Sequence, residues 1–241
     1  MIPARERLIV ALDVETEKEA KKLLDSLNGA VSMFKIGCQL FTAVGPRIVD
    51  VVHKKGGKVF LDLKYHDIPD TVARAGKEAT RLGVFMFNVH SLGGMEMMKK
   101  CYEASFETAE KEGIQRPKIL AVTLLTSITL DMLHSEIGIM SGDLESEVKR
   151  LATLSADAGL DGVVSSPQEI RAVREISSRD FLIVTPGVRP TGTQMDDQKR
   201  ISIPKEAIKA GADYIVVGRP IIKADDPVKA AEEIIKEMEA I

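Results

Sequence analysis

The chain has 241 residues and a mass of 26.3 kDa, and 44% of its residues are hydrophobic, which is enough for a substantial core. Its formal net charge of -3 and pI near 5.9 give no electrostatic reason to expect nucleic acid as a partner. Cys38 and Cys101 lack the spacing of a disulfide framework or a zinc site, the N-terminus has no signal-peptide core, and no apolar run reaches the roughly 18 residues needed to span a bilayer. We therefore expect a soluble cytoplasmic protein that contacts neither nucleic acid nor membrane.

Short apolar runs, each followed by a helical pattern, recur along the chain at intervals of roughly 25 to 30 residues. Most of them are continuously apolar rather than alternating, which is typical of parallel strands covered by helices. The predicted strands are Leu8–Asp13, Met33–Gly37, Lys58–Lys64, Val84–His90, Lys118–Thr126, Gly162–Ser165, Phe181–Thr185 and Tyr214–Gly218.

Helix start signals stand between these strands. Thr16-Glu17-Lys18-Glu19 has the pattern of a capping box, Ser166-Pro167-Gln168-Glu169 repeats it, and Asp226-Pro227 opens the last predicted helix. Eight strand–helix units in about 240 residues predict one (β/α)8 TIM barrel with a parallel eight-stranded core, in which residues 1–241 form a single domain. A doubly wound sheet is the alternative, but no glycine-rich phosphate fingerprint follows its first strand.

Charged residues at the end of the third predicted strand indicate a reaction centre. Asp62 and Lys64 are two residues apart, so a strand places them on the same face, and Asp67 adds a second carboxylate just beyond. Charges at the end of a buried strand are unfavourable unless they are paired or needed for chemistry. Metal-dependent barrels of the epimerase type have a histidine ligand at the position that Lys64 occupies here, so we predict no metal ion.

Further polar residues end the neighbouring strands, where barrel enzymes build their sites. They are Asp13, Lys35, Asn88, His90, Thr126, Ser127, Thr185, Arg189, Gly218 and Arg219. Gly218-Arg219, at the end of strand eight, predicts a phosphate site, because glycine lets backbone N–H groups approach an anion and arginine adds a charge-assisted pair. The long polar segment 187–202 predicts a lid over a phosphorylated substrate, with Arg189, Gln194 and Gln198 as candidate contacts.

The motif Asp62-x-Lys64-x-x-Asp67-Ile68-Pro69 closely resembles the signature of the orotidine 5′-phosphate decarboxylase family, and further blocks stand in family order along the whole chain. These blocks are Ala11-Leu12-Asp13, Phe34-Lys35-Ile36-Gly37, Leu125-Thr126-Ser127, Thr185-Pro186-Gly187-Val188-Arg189-Pro190, Asp196-Asp197-Gln198-Lys199-Arg200 and Val217-Gly218-Arg219. Related barrel decarboxylases and aldolases that act on sugar phosphates share Asp-x-Lys-x-x-Asp, but the Ile-Pro extension is not expected in them.

The resemblance implies a cofactor-independent enzyme that decarboxylates orotidine 5′-monophosphate to uridine 5′-monophosphate, the last step of de novo UMP synthesis. Lys64 would protonate C6 of the pyrimidine after carbon dioxide leaves, and Asp62 would lie beside the departing carboxylate. Asp67 would enter from the neighbouring subunit together with Ile68 and Thr71, so the resemblance also implies a homodimer with shared active sites.

The remaining residues implied by the resemblance bind the substrate. Asp13 and Lys35 would hold ribose hydroxyls, and Thr126 and Ser127 would read the base, with Pro186 completing this set. The phosphate would be held by Arg189, Gln198, Gly218 and Arg219, with Gln194 as the alternative glutamine.

Two other functions are compatible with such a pocket. A sugar-phosphate decarboxylase or aldolase on the same barrel would require magnesium and ignore pyrimidine nucleotides. A non-catalytic sensor of phosphorylated ligands would bind nucleotide without forming product, although the intact Asp62, Lys64 and Asp67 argue against it.

Overall fold

The computed structural model describes residues 2–140, 142–190 and 202–240. In these residues eight parallel strands form a closed barrel in which neighbours in the chain are neighbours in the sheet and the last strand pairs with the first. The strands are β1 (Leu8–Ala11), β2 (Met33–Gly37), β3 (Lys58–Tyr65), β4 (Met86–His90), β5 (Lys118–Val122), β6 (Gly162–Val164), β7 (Leu182–Pro186) and β8 (Tyr214–Val217). The predicted (β/α)8 TIM barrel is confirmed.

Helices occupy the connections and cover the outside of the barrel. They are α1 (Ala4–Arg7), α2 (Glu17–Leu27), α3 (Cys38–Val44), α4 (Arg47–Lys54), α5 (Pro69–Arg81), α6 (Gly94–Glu112), α7 (Leu130–Ser135), α8 (Leu144–Asp157), α9 (Ile170–Ile176), α10 (Pro204–Ala210), α11 (Arg219–Ile222) and α12 (Pro227–Glu239). Two 3₁₀ turns, Ser91–Gly93 and Pro167–Glu169, precede α6 and α9. None of the helices in the described ranges combines the length and the apolarity that a membrane crossing requires.

Two apolar layers explain why the strands are continuously hydrophobic. Phe60, Met86 and Leu120 belong to a cluster that fills the inside of the barrel, whereas Val59 and Leu61, on either side of Phe60, pack in the layer between strands and helices. Both faces of each strand are therefore buried, as in other parallel sheets. Because side chains fill the interior, a ligand has to bind at one end of the barrel rather than pass through it.

The predicted helix starts are confirmed for two of three elements. The Glu19 N–H donates to Thr16 Oγ1 over 3.2 Å while Glu19 Oε2 accepts the Thr16 N–H over 3.0 Å, so α2 begins with a complete capping box. Asp226 caps α12. The second predicted capping box is wrong: the Ser166 hydroxyl accepts the Gln168 N–H rather than the Glu169 N–H and opens a 3₁₀ turn, and the same hydroxyl donates to the Glu169 carboxylate.

Several strands end earlier than the apolar pattern predicts. β1 stops at Ala11, although the Leu12 N–H still donates to the Lys35 carbonyl over 3.0 Å. β5 stops at Val122, because the following residues turn, with the Ile128 N–H donating to the Leu125 carbonyl over 3.0 Å. The apolar residues after β5 therefore belong to a loop at the carboxyl end of the barrel. That loop begins sooner than hydrophobicity alone indicates.

Candidate active site

A cavity of about 250 Å³ opens at the carboxyl ends of the strands. Apolar side chains of the barrel interior, such as Phe60 and Val216, contribute to its wall. The predicted site residues that line it are Asp13, Lys35, Asp62, Lys64, Thr126, Pro186, Arg189, Gly218 and Arg219. Residues from distant parts of the chain therefore meet at the end of the barrel where such folds carry their active sites.

Four charged side chains form an alternating row on this wall, which we call the charge row: Asp13, Lys35, Asp62 and Lys64. Lys35 Nζ lies 3.2 Å from Asp13 Oδ1 and 3.4 Å from Asp62 Oδ2. The Lys64 ammonium donates to Asp62 Oδ1 over 2.7 Å. Because each inner charge has opposite charges beside it, the row offsets part of the desolvation that burial imposes on its members.

The surroundings keep the two central groups of the charge row ionised. Burial alone would lower the pKa of Lys35, but the carboxylates of Asp62 and Asp13 raise that pKa above its ordinary value of 10.5. Burial alone would raise the pKa of Asp62, yet Lys35, Lys64 and the Asn88 amide hold that pKa below its ordinary value of 3.8. At neutral pH the Lys64 amine therefore lies against a permanent carboxylate anion.

The backbone at Lys64 has an uncommon conformation. With φ of +51°, Lys64 is the one non-glycine residue with a positive φ in the described ranges. This conformation costs about 1–3 kcal/mol and persists only where the surroundings impose it. It falls where the pairing of β3 with β4 shifts register between Leu61 and Tyr65. The strained backbone therefore belongs to a residue whose side chain lines the cavity.

Asn88 holds this region together, although the family resemblance assigned it no role. Its Oδ1 accepts the backbone N–H of Lys64 over 2.8 Å, and its Nδ2 donates to Asp62 Oδ1 over 2.7 Å. Asn88 is completely buried. The available sequence signal was a polar residue inside the otherwise apolar run of β4.

Ser165 lines the cavity, and sequence reasoning did not identify it as a site residue. It directly follows β6, lines the cavity and is 1% exposed, and its hydroxyl has no hydrogen-bond partner among the described residues. No sequence pattern distinguished it from an ordinary loop serine.

Two arginines follow the neighbouring strands β7 and β8 and line the same cavity. Arg189 is only 8% exposed, and Arg219 is the first residue of α11. A Cβ on Gly218 would lie 3.1 Å from Asp13 Oδ2 and 3.4 Å from the Ala11 Cβ, so a larger residue would crowd the wall. Two guanidinium groups at one part of a cavity suit a phosphate or carboxylate ligand.

Four predicted site residues do not line this cavity in the described part of the chain: Asp67, Ile68, Thr71 and Ser127. Asp67 Oδ1 accepts the N–H of the adjacent Ile68 over 2.6 Å, and the Ile68 side chain is 67% exposed. Thr71 is exposed in the first turn of α5, and Ser127 lies in the loop after β5. Gln194 and Gln198 lie outside the described residues.

Metal ligation has no candidate in the described ranges, where no group of three or more histidine, cysteine, aspartate or glutamate side chains is arranged to hold an ion. The carboxylates of the charge row are instead occupied by lysines. The prediction that the protein uses no metal stays a prediction.

Comparison with known proteins gives a consistent result along nearly the whole chain. Residues 6–234 match the model of the "Orotidine 5'-phosphate decarboxylase / HUMPS family". Orotidine 5′-phosphate decarboxylase of Geotalea daltonii is 54% identical over 239 residues, covering 98% of each chain, and that of Geobacter sulfurreducens is 53% identical over 237 residues, also covering 98% of each. The crystal structure of orotidine 5′-phosphate decarboxylase from Lactobacillus acidophilus superposes with a TM-score of 0.85 at 39% identity, covering 98% of this chain and all of the other. The chain belongs to the orotidine 5′-phosphate decarboxylase / HUMPS family.

Proposed function

We propose that this protein decarboxylates orotidine 5′-monophosphate to uridine 5′-monophosphate and carbon dioxide in the cytoplasm, as the last step of UMP synthesis and without a cofactor. The observation that carries the proposal is the charge row, in which Lys64 is held against a permanently ionised Asp62 at the wall of a cavity with two arginines. Relatives about half identical over nearly their full length are named for this activity, which favours it over sugar-phosphate chemistry within the family.

The reaction needs a fixed cation. Loss of carbon dioxide from C6 of the pyrimidine leaves a carbanion without an adjacent carbonyl to delocalise it, so preorganised charges have to stabilise it. An ammonium about 4 Å from that carbon, at an effective dielectric near 20, contributes roughly 4 kcal/mol. Lys64 is the residue for this role, and the same amine then transfers a proton to C6 as the carbanion is quenched.

In this step Asp62 acts on both the Lys64 ammonium and the substrate carboxylate. Its carboxylate fixes the Lys64 ammonium over 2.7 Å and is itself kept ionised by the two lysines beside it. Placed next to the substrate carboxylate, it repels that group, and the repulsion is relieved as neutral carbon dioxide departs. Asp13 and Lys35, at the other end of the charge row, offer an acceptor and a donor for the ribose hydroxyls.

The phosphate is bound by the guanidinium groups of Arg189 and Arg219 and by the backbone at Gly218, with Gln198 from the segment outside the described residues. Thr126 and Ser127 read the base, and Pro186 lines the wall beside it. Since the phosphate lies away from the reacting carbon, its binding energy can be used to close the site and exclude water.

We also propose that two copies of the chain share their active sites through Asp67, Ile68 and Thr71. Two observations support this. Asp67 and Ile68 follow β3 at the carboxyl end of the barrel, yet neither lines the cavity of its own chain. The Ile68 side chain is 67% exposed, and two further apolar side chains between β5 and α8, Leu125 and Met140, are 39% and 76% exposed. Exposed apolar side chains at one end of a barrel favour burial against a second copy.

Replacing Ile68 by lysine tests the shared site. The charge should separate the copies and lower turnover in proportion to the fraction of monomer, as measured by sedimentation and by assay across protein concentrations. Ile114→Lys, at an exposed apolar residue after α6, is the matched control and should change neither the association of the two copies nor the turnover. A monomer with full activity would contradict the proposal.

The activity itself is tested with purified, metal-free protein. The absorbance of orotidine monophosphate should fall as uridine monophosphate appears, without added magnesium. Absence of turnover by the folded protein, or magnesium-dependent turnover of a sugar phosphate instead, would contradict the proposed reaction.

A further inference from the structure

Asn88 on β4 joins the side chain of one site residue to the backbone of another. Its amide oxygen accepts the Lys64 N–H over 2.8 Å, and its amide nitrogen donates to Asp62 Oδ1 over 2.7 Å. The same Asp62 oxygen accepts the Lys64 ammonium over 2.7 Å. These contacts form a closed ring of three residues, and the asparagine in it is completely buried.

The register shift between β3 and β4 explains why the backbone N–H of Lys64 is bonded to a side chain. Leu61 pairs with Phe87 and Tyr65 pairs with Val89, so the β3 segment between the two pairs is longer than the β4 segment opposite it. A bulge of this kind leaves backbone groups without a ladder partner. The Asn88 side chain supplies that partner for the N–H of Lys64, the residue with the positive φ.

We propose that Asn88 is a positioning residue for the decarboxylation: its amide holds Lys64 in the left-handed backbone conformation and orients the Asp62 carboxylate, so that the Lys64 ammonium is directed to the reacting carbon. The inference rests on the proposed function. It adds a residue that never needs to touch the substrate but fixes the geometry of the two that do.

The chemistry of the ring explains why an asparagine stands here. One short side chain has to accept a hydrogen bond from a backbone N–H and donate another to a carboxylate, and a primary amide of this length offers both groups, on two separate atoms, at neutral pH. Aspartate retains the acceptor but lacks the donor, and leucine lacks both. Each substitution therefore removes a defined part of the ring.

Asn88→Asp separates positioning from simple packing. It is close to isosteric, but at neutral pH it sets a second carboxylate against Asp62 and removes the donor. We expect kcat to fall by about 10- to 100-fold, as for a lost hydrogen bond to a charged group, with a smaller change in KM. Asn88→Leu should lower kcat at least as much while the protein still binds uridine monophosphate.

A pH profile of Asn88→Asp gives a readout that a purely structural role would not move. Two adjacent carboxylates raise the pKa of the pair, so a proton shared between positions 88 and 62 restores a donor as the pH falls. The other charged or titratable groups at the ends of β2, β3 and β4 are Lys35 on β2, Lys64 on β3, His66 just after β3, and His90 on β4, which stacks on His66 and whose burial lowers its pKa to about 4. The ratio of variant to wild-type kcat should therefore rise towards acidic pH.

Thr123→Val is the matched control, because it removes another buried side-chain hydrogen bond at the same end of the barrel, from Thr123 Oγ1 to the Val164 carbonyl over 3.2 Å. It should leave kcat unchanged. An unchanged kcat in Asn88→Asp, or a kcat ratio independent of pH, overturns the positioning role. If Asn88→Leu fails to fold, Asn88→Asp decides the question alone. Absence of turnover in the wild type would instead contradict the proposed function, so the two failures are distinguishable.

Discussion

Both ends of the barrel carry partly buried ion pairs, but the pairs are built from different partners. At the amino end, Asp161 accepts two hydrogen bonds of 2.7 Å from Arg116 and one of 2.8 Å from the Ile119 N–H of the adjacent strand. Asp213 likewise joins Arg174 to the Ile183 N–H over 2.7 Å and 2.8 Å. These carboxylates are tied to the sheet backbone and fix how neighbouring strands align.

At the carboxyl end, the hydrogen bonds and ion pairs that the Asp62 carboxylate makes with the described residues come from the side chains of Lys35, Lys64 and Asn88. Within the described ranges, these side chains hold one backbone group of the cluster, the N–H of Lys64, which is in a strained conformation. Charges held mainly by one another can exchange partners when a substrate enters, whereas charges tied to the sheet cannot. We therefore propose that ion pairs of similar length serve stability at one end and chemistry at the other.

The largest expected effect is on activity at the carboxyl end. In the proposed mechanism, Lys64→Ala removes the cation next to the developing carbanion and also the proton donor. Because the electrostatic part alone is worth roughly 4 kcal/mol, turnover should fall by more than about 10³-fold. Circular dichroism and binding of uridine monophosphate should show that the variant is folded with an intact pocket. Substantial residual turnover would assign the cation role to another residue.

At the amino end, by contrast, a substitution should lower the free energy of unfolding rather than the turnover. Asp161→Ala removes the carboxylate that Arg116, Lys118 and the Ile119 N–H share, and breaking an ion pair whose carboxylate is largely buried costs about 3 kcal/mol. Urea unfolding should show this loss while kcat of the remaining folded protein is unchanged. Asp62→Asn is the matched variant, for which we expect the reverse: lost turnover with a smaller loss of stability. Equal effects of both variants on kcat would remove the distinction between the two ends.

Arg219→Ala separates phosphate binding from chemistry within the carboxyl end. Loss of charge-assisted hydrogen bonds should weaken binding of the nucleotide by about 2 kcal/mol. The nucleoside, which lacks the phosphate, should be turned over almost as in the wild type. Comparison of kcat/KM for both substrates measures this, and an equal loss for both would exclude the phosphate role.

The smallest expected effect is a difference in acid stability. Burial alone would raise the pKa of Asp161, but Arg116 and the Ile119 N–H hold it below the ordinary value of 3.8. The pair therefore contributes its full stability above pH 3.8 and loses it as the pH falls through the lower pKa of the folded state. Stability of the wild type should decline more steeply below that pH than stability of Asp161→Ala. Parallel curves would show that Asp161 is not titrating there.

The barrel could be predicted from the sequence because its signals are local. Continuous apolar strands and a capping box at Thr16 and Glu19 are visible without any tertiary contact. The shared cavity of Asp62 and Lys64 follows from alternation along β3, in which Leu63 and Tyr65 pack outside. Those features depend only on neighbours in the chain.

The ring around Asn88 could not be predicted, for a physical reason. The β3 pattern contains no glycine at position 64 to announce a positive φ, and the register shift against β4 depends on how two distant segments pair. The early end of β5 was missed because the loop that follows is itself apolar, with Leu124 buried against the core. Non-local pairing and apolar loops leave no local signature.

The central claim, that Lys64 stabilises a carbanion at C6, is tested most directly by hydrogen exchange at that carbon. Uridine monophosphate incubated with the protein in D₂O should exchange its C6 hydrogen for deuterium, because removal of that proton forms the same anion as loss of carbon dioxide. Wild type should catalyse the exchange, and Lys64→Ala should bind the nucleotide without catalysing it. Exchange at the wild-type rate in Lys64→Ala would contradict the claim.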